Sequence, residues 1–312
     1  MDMSDASAIG SGLRGELRRD EPMARHVSWR AGGAARIFYH PADVDDLGAF
    51  LRVIPAQLPV LFVGLGSNLL VRDGGFDGAA ILTHRALQGV ERLADAVGSP
   101  RMPKRFHAAA GVPAPHLARF VAKHGGGGAE WMAGVPGTVG GALAMNAGCY
   151  GGETWNHVVE VETIDRAGRV HRRAAAEFET GYRHVAARFE GEEFFVGATF
   201  AFAAGEEGPA MAGMRELLAR RVATQPLGTP NAGSVFRNPP DDHAARLIES
   251  CGLKGYTVGG ARVSPKHANF IVNEGNASAA DIEAVIAHVE LVVAERTNVS
   301  LIREVRIVGD AR

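Results

Sequence analysis

Between Gly134 and Gly152 the chain reads Gly-Val-Pro-Gly-Thr-Val-Gly-Gly-Ala-Leu-Ala-Met-Asn-Ala-Gly-Cys-Tyr-Gly-Gly. Glycine is interleaved with apolar residues, charge is absent, and the pattern does not repeat. A flexible linker would be polar and shuffled. The segment instead predicts tightly packed backbone that something approaches closely, because glycine bares its N–H and tolerates positive φ. Pro136 and Gly137 predict a short helix opening at Thr138, whose free N–H groups would bind an anion. A phosphorylated cofactor is the expected occupant. The alternative is a tight packing turn in a sheet protein.

Length and charge narrow the partners. A chain of 312 residues allows two or three domains and a sizeable core. With 46% hydrophobic and 22% charged residues it has the composition of a globular protein. A formal net charge of −2 gives no electrostatic footprint for nucleic acid. The two cysteines, Cys149 and Cys251, are far apart and in no metal-type spacing, so neither a disulfide framework nor a metal site is expected. No apolar run approaches membrane-spanning length and the first residues lack a secretory h-region, so the expected location is the cytoplasm. The oligomeric state is not fixed by the sequence, and a monomer is compatible with it.

The pattern along the chain is mixed α and β. Residues 1–20 read as a poorly ordered lead-in, with regular structure from about Trp29. Residues 21–100 form a first block, with strands at Ala35–Tyr39, Val60–Val63 and Ala79–Leu82 and a helix over Val44–Ile54. Residues 101–205 form a second, with a strand at Phe106–Ala110, a helix at Pro115–His124, and strands at Val158–Ile164, Val170–Arg172 and Phe194–Phe202. A linker is expected at 204–210. Residues 206–312 form a third block, with helices at Met211–Thr224, Ala244–Ser250 and Asp281–Arg296 and strands at His267–Val272 and Leu301–Val308. The last strand could return to an earlier block.

Three further places could carry chemistry. Gly64-Leu65-Gly66-Ser67-Asn68 follows an apolar strand and could form a backbone nest for a phosphate. It is neither the Rossmann fingerprint nor a P-loop, and alone it could be a hairpin turn. With the 134–152 segment it suggests halves of one dinucleotide site outside the Rossmann fold. Ser234 lies in Pro230-Asn231-Ala232-Gly233-Ser234-Val235-Phe236-Arg237-Asn238-Pro239, and a serine needs help to act as acid or base. Tyr182-Arg183-His184 reads as a polar loop between strands. Glu304 sits in the expected last strand between Arg303 and Arg306, where a surface salt bridge is the plain reading.

These motifs carry a resemblance. Ser28-Trp29-Arg30-Ala31-Gly32-Gly33, Val63 through Val71, Gly134 through Gly141, Met145-Asn146-Ala147-Gly148, Tyr182-Arg183-His184, Ala232 through Pro239, Ser264 through Asn273 and Glu304-Val305 together resemble the bacterial UDP-N-acetylenolpyruvoylglucosamine reductases. The likeness covers nearly all of residues 25–309 and is to the shorter subtype. One departure is Val185, where the family often has serine.

The resemblance implies an α+β fold: two FAD-binding subdomains of the vanillyl-alcohol-oxidase type, then a C-terminal α+β substrate domain. It implies noncovalent FAD, NADPH as hydride donor and UDP-N-acetylglucosamine enolpyruvate as substrate. FAD contacts carried over are Gly64, Gly66, Ser67, Asn68, Pro136, Gly137, Thr138, Gly140, Gly141 and Asn146. Catalytic roles fall on Arg183 and Glu304, on the carboxylate side of the substrate, and on Ser234 as proton donor. Glu304 would need a raised pKa to hydrogen-bond an anion in its neutral form. Tyr182, Arg221, Asn231, Lys254 and Lys266 are candidates for substrate contacts. Two other readings compete. One is an oxidase of the same flavoprotein fold, which would pass electrons to oxygen. The other is a non-catalytic nucleotide-binding protein, which would not take up flavin.

Overall fold

The structure is a computed structural model describing residues 12–94 and 102–311. Residues 1–11 of the expected lead-in lie outside the described residues. The chain divides into two compact units, both discontinuous: residues 1–18, 38–64 and 80–219 in one, and 19–37, 65–79 and 220–312 in the other. These units do not follow the contiguous boundaries expected at 100/101 and 205/206.

The first unit is built on an antiparallel sheet in the order Val170–Ala174, Val158–Asp165, Glu193–Ala204, Lys104–Ala109, Val90–Arg92. Its long central strand lines one face with Val196, Ala198, Phe200 and Phe202, alternate residues that are all buried. Helix α1 (Val44–Val53) begins at Asp43, whose carboxylate accepts from Asp46 N–H at 2.9 Å, and ends before Pro55. Helix α2 (Ala114–Lys123) presents Leu117, Ala118, Val121 and Ala122 on one face. That stripe meets Phe106, Met132 and Phe200 in the core. Helix α3 (Val139–Met145) lies in the glycine-rich segment and is capped by Thr138, as its sequence predicts.

The expected lead-in is wrong in its last part, because Glu16–Pro22 is a strand at the edge of a four-stranded sheet. Leu17 is its one aliphatic side chain, so no alternation marks it. This strand brings Arg14 to a buried carboxylate. Asp46 is 2% exposed and accepts the N–H groups of Arg14 at 2.8 Å and Ala42 at 2.9 Å and the Tyr39 hydroxyl at 2.5 Å. Burial pushes its pKa up, but these three donors outweigh that and hold it below the usual carboxylate range. A depressed folded pKa stabilises the fold above the unfolded value near 4, and the contribution fades as pH falls through the folded value. Asp46→Asn is therefore expected to cost about 2 kcal/mol near neutral pH. The gap to wild type should close below about pH 4. Urea midpoints across pH check this, and a gap independent of pH would contradict it.

The second unit packs around Trp29, whose indole N–H donates to Ile271 O at 2.7 Å while its own carbonyl accepts from Asn273 Nδ2 at 2.9 Å. Helix α4 (Glu207–Thr224) passes from the first unit into this one along the chain; it starts inside the expected linker, since Pro209 is tolerated in a first turn. Helix α5 (Ala244–Ser250) and helix α6 (Ala279–Thr297) contribute Leu247, Ile248, Ile282, Val285, Ile286, Val289 and Val293 to the core. Ser278 and Asp281 form a capping box at the start of α6, and Asn298 ends it in the left-handed conformation.

Two expected strands shorten. His267–Asn269 is a turn, with Ser264 Oγ accepting from Lys266 and His267 N–H and Phe270 N–H donating to His267 O, so the strand is Ile271–Asn273. The last strand is Arg306–Val308, which pairs in parallel with Leu69–Val71 and so returns to the segment after Asn68. Residues 301–305 before it make only one isolated bridge, Arg303 with Phe236.

Candidate functional site

Candidate site residues occur in each of the two units. In the first, the glycine-rich segment opens a helix at Thr138, as its sequence predicts, and most N–H groups of its first turn have protein acceptors. Val139 N–H donates to Val112 O at 2.8 Å and Gly140 N–H to Ala110 O at 2.8 Å. Gly141 N–H donates to Thr138 Oγ1 at 3.4 Å. The N–H groups of Val139, Gly140 and Gly141 are thus taken by the chain that precedes α2 and by the cap, while those of Gly137 and Thr138 at the mouth of the helix donate to no protein acceptor among the described residues. Gly140 is glycine because a Cβ there would stand 2.9 Å from the Ala110 methyl. Gly141 is exposed, with room for a Cβ that would touch Thr138 Oγ1 at 3.8 Å, and Pro136 and Gly137 are at least partly exposed.

The turn at 64–68 has the opposite character. Among the described residues, the N–H groups of Leu65, Gly66 and Ser67 donate to no protein acceptor. Gly66 has φ +61 and no room for a Cβ, which would lie 2.2 Å from His26 O. A run of free amides around a left-handed residue is an anion nest.

Gly64 carries the chain into that turn from the first unit, and a Cβ on it would stand 2.3 Å from Thr138 Oγ1. Thr138 is 1% exposed and fixed as a cap, so it cannot yield. Gly64→Ala is expected to cost about 1–3 kcal/mol from overpacking. Thr138→Ala should cost about 1 kcal/mol through the lost cap. The double variant should lose less than the sum, because removing the γ atoms makes room for the new methyl. Denaturant midpoints of the three variants check this, and strictly additive losses would contradict it.

Arg183 lies in the expected loop between strands, which is the tip of a hairpin, Phe178–Gly181 with His184–Ala187. Its φ is +54, a conformation uncommon for a residue with a Cβ. Its guanidinium donates to Gly148 O at 2.8 Å and Asn146 O at 3.3 Å, so the hairpin tip is tied to the glycine-rich segment. Tyr182 beside it is 45% exposed, with the guanidinium 5.1 Å from its ring centroid. Val185 pairs with Thr180 across the hairpin, so the departure from serine is absorbed in a strand.

In the second unit Ser234 follows Gly233, which has φ +73 and donates its N–H to Asn231 Oδ1 at 3.0 Å. Asn269 grips the next residues: its carbonyl accepts from Val235 N–H, its Oδ1 from Phe236 N–H, and its Nδ2 donates to Phe236 O. Glu304 N–H donates to Val235 O at 2.7 Å, and Asn68 Nδ2 donates to Glu304 O at 3.1 Å. The segments bearing Ser234, Glu304 and the 65–68 turn are thus joined by hydrogen bonds inside one unit. Glu304 is half-buried. Arg303 holds the segment to α6 through Glu290 at 2.6 and 2.7 Å.

The candidate substrate residues have local partners. Asn231 Nδ2 donates to Pro226 O and Thr229 O, which shapes the loop before Ser234. Arg221 Nε donates to Gln225 Oε1, Lys266 Nζ to Val222 O, and Lys254 Nζ to Glu249 Oε1. Asn68, Asn146 and Asn269 all sit in the motifs named above, but their roles as hydrogen-bond bridges were not legible, because each has a partner distant in the chain. Among the described residues no helix is long and apolar enough to cross a membrane.

Two family models match the chain in separate, contiguous segments. Residues 35–173 match the family model for an FAD binding domain, and residues 225–308 match that for the C-terminal domain of UDP-N-acetylenolpyruvoylglucosamine reductase. The UDP-N-acetylenolpyruvoylglucosamine reductase of Thiobacillus denitrificans is 54% identical over 303 residues, covering 96% of this chain and 94% of that protein. That of Methylococcus capsulatus is 54% identical over 307 residues, 98% of each chain. The crystal structure of the enzyme from Thermus caldophilus matches with a TM-score of 0.75 at 28% identity, covering 95% of this chain and 99% of that one.

Proposed function

The chain belongs to the UDP-N-acetylenolpyruvoylglucosamine reductase family of FAD-dependent oxidoreductases, and from that premise we propose that it reduces UDP-N-acetylglucosamine enolpyruvate to UDP-N-acetylmuramate with NADPH as donor. The reaction is a cytoplasmic step in making peptidoglycan precursor. The observation that carries this reading is the hydrogen-bonded set around Glu304, which fastens the segments of Ser234 and Glu304 to the free-amide turn of the second unit.

The residues present suit FAD. The free amides of Leu65, Gly66 and Ser67 would donate to its pyrophosphate, and the exposed backbone at Pro136 and Gly141 would allow its close approach. Gly64, Thr138 and Gly140 shape that surface by packing. Bound FAD supplies the hydride relay from NADPH to the vinyl carbon distant from the carboxylate.

The chain's own residues handle the charge and the proton. Arg183 presents a guanidinium, fixed in plane by two carbonyls, to the substrate carboxylate as enolate character develops. Glu304, in its neutral form, hydrogen-bonds the same side of the substrate. Ser234 gives its hydroxyl proton to the carbon next to the carboxylate, completing the lactyl ether, and the resulting alkoxide draws on neighbouring donors. Tyr182, Arg221, Lys254 and Lys266 supply polar and cationic contacts to the sugar nucleotide, and Asn231 holds the loop before Ser234.

Stopped-flow separation of the half-reactions tests this. The flavin should bleach on anaerobic mixing with NADPH and recover on mixing with the enolpyruvyl sugar nucleotide. Recovery with oxygen alone at a comparable rate would replace the reading with an oxidase, and a protein that cannot be reconstituted with FAD would remove it.

A further inference from the structure

Asn146 stands in the glycine-rich segment, yet its side chain is 2% exposed and fully engaged inside the first unit. Nδ2 donates to Gly181 O at 2.9 Å and Glu153 Oε2 at 3.0 Å, and Oδ1 accepts Trp155 N–H at 3.1 Å. Both amide hydrogens are therefore used. The residue itself is left-handed, with φ 40 and ψ 53, as the C-cap of α3.

These bonds close a ring with Arg183. The Asn146 side chain holds Gly181 O, two residues before Arg183, while the Asn146 carbonyl receives the Arg183 guanidinium. Gly148, two residues on, takes the other arm of the guanidinium and pairs with Glu153, the second acceptor of Nδ2. One asparagine thus fixes both the backbone and the side chain of Arg183.

Apolar packing holds only the base of the hairpin, where the Phe178 ring lies 4.9 Å from Trp155, 5.5 Å from Phe189 and 5.6 Å from Phe195 between centroids. The tip is different: Tyr182 is 45% exposed, and the contacts that tie Gly181 and Arg183 to the glycine-rich segment are polar.

We infer that Asn146 is a positioning residue for Arg183 and not a ligand of the cofactor. The inference rests on the reading above that Arg183 meets the substrate carboxylate. Loss of Asn146 should then slow the transfer to the carbon acceptor while leaving flavin binding and flavin reduction in place, since a misplacement of an ångström at a charge-stabilising group is costly.

Asn146→Gly deletes the side chain at a position where glycine adopts the same φ without strain. Asn146→Asp keeps the acceptor for Trp155 N–H and removes both donors, and serves if the glycine variant folds poorly. FAD affinity, measured by flavin fluorescence, and the rate of flavin reduction by NADPH are expected to stay within about twofold of wild type. Reoxidation by the enolpyruvyl sugar nucleotide should fall at least about tenfold, with the loss in the maximal rate. In an Arg183→Ala background the same Asn146→Gly change should cost less than about twofold, which a general structural role would not produce. Hydrogen exchange over residues 179–187 should rise in the variant. That readout stands even if the wild-type flavin is not reoxidised by the sugar nucleotide, an outcome that defeats the proposed function alone. Weakened FAD binding with normal reoxidation, full independence from Arg183, or unchanged exchange in the hairpin would each overturn the assignment.

Discussion

Ser234→Ala is expected to leave flavin reduction by NADPH at the wild-type rate and to slow reoxidation by the enolpyruvyl sugar nucleotide by about 10³-fold. The substitution removes one oxygen and little else. Its backbone is held on both sides: Gly233 N–H is bound by Asn231 Oδ1, and Val235 and Phe236 N–H are bound by Asn269. Alanine at such a position keeps the loop, so a large kinetic effect reports the lost proton donor and not a displaced segment. The size follows from general acid catalysis, which contributes about 10²–10⁴-fold when the donor is in place. The first half-reaction involves no carbon acceptor and gives the internal control. Stopped-flow absorbance of the flavin reads both steps in one protein. Fast reoxidation in the variant would show that another group delivers the proton.

How far the sequence revealed this site depends on whether the decisive partner is local. The face of α6 was legible because Ile282, Val285, Ile286, Val289 and Val293 repeat at helical spacing, and all five are buried. The cap at Thr138 was legible for the same reason, since the cap and its helix are adjacent. The occupancy of that helix's N–H groups was not, because their acceptors, Ala110 O and Val112 O, come from a separate segment. Periodicity describes side chains and says nothing about which carbonyl reaches which amide. Glu16–Pro22 was missed because a strand at a sheet edge needs no alternation. His267–Asn269 was overread because alternation continues into a turn that Ser264 organises through its hydroxyl. At Arg183 the sequence supplied the residue type through a family motif, while the left-handed hairpin tip follows from long-range pairing. Local rules fail most where backbone is held by distant polar groups, and here those places include Asn68, Asn146 and Arg183.

Arg183→Ala is expected to reduce kcat/KM for the enolpyruvyl substrate by about 10²–10³-fold with flavin reduction by NADPH retained. A guanidinium is planar and its donors form a rigid fork. Two of them are committed to Asn146 O and Gly148 O, so the orientation is set before substrate arrives. Such preorganisation is what a charge-developing carboxylate requires, because no reorganisation is then needed at the moment of reaction. Arg183→Lys should recover only part of the loss, since an ammonium cannot serve both carbonyls and a carboxylate in one plane. The backbone adds a separate test. Arg183 sits at φ +54, where a residue with a Cβ is strained and glycine is not. Arg183→Gly and Arg183→Ala lack the guanidinium equally, so their difference isolates that strain. The glycine variant should be the more stable by about 1 kcal/mol and no more active. Denaturant midpoints give the first quantity and steady-state kinetics the second. Such a pair would mean that the hairpin tip holds a costly conformation because the arginine it aims is needed there. An Arg183→Ala enzyme that turns over normally would remove the carboxylate role, and equal stabilities would remove the strain.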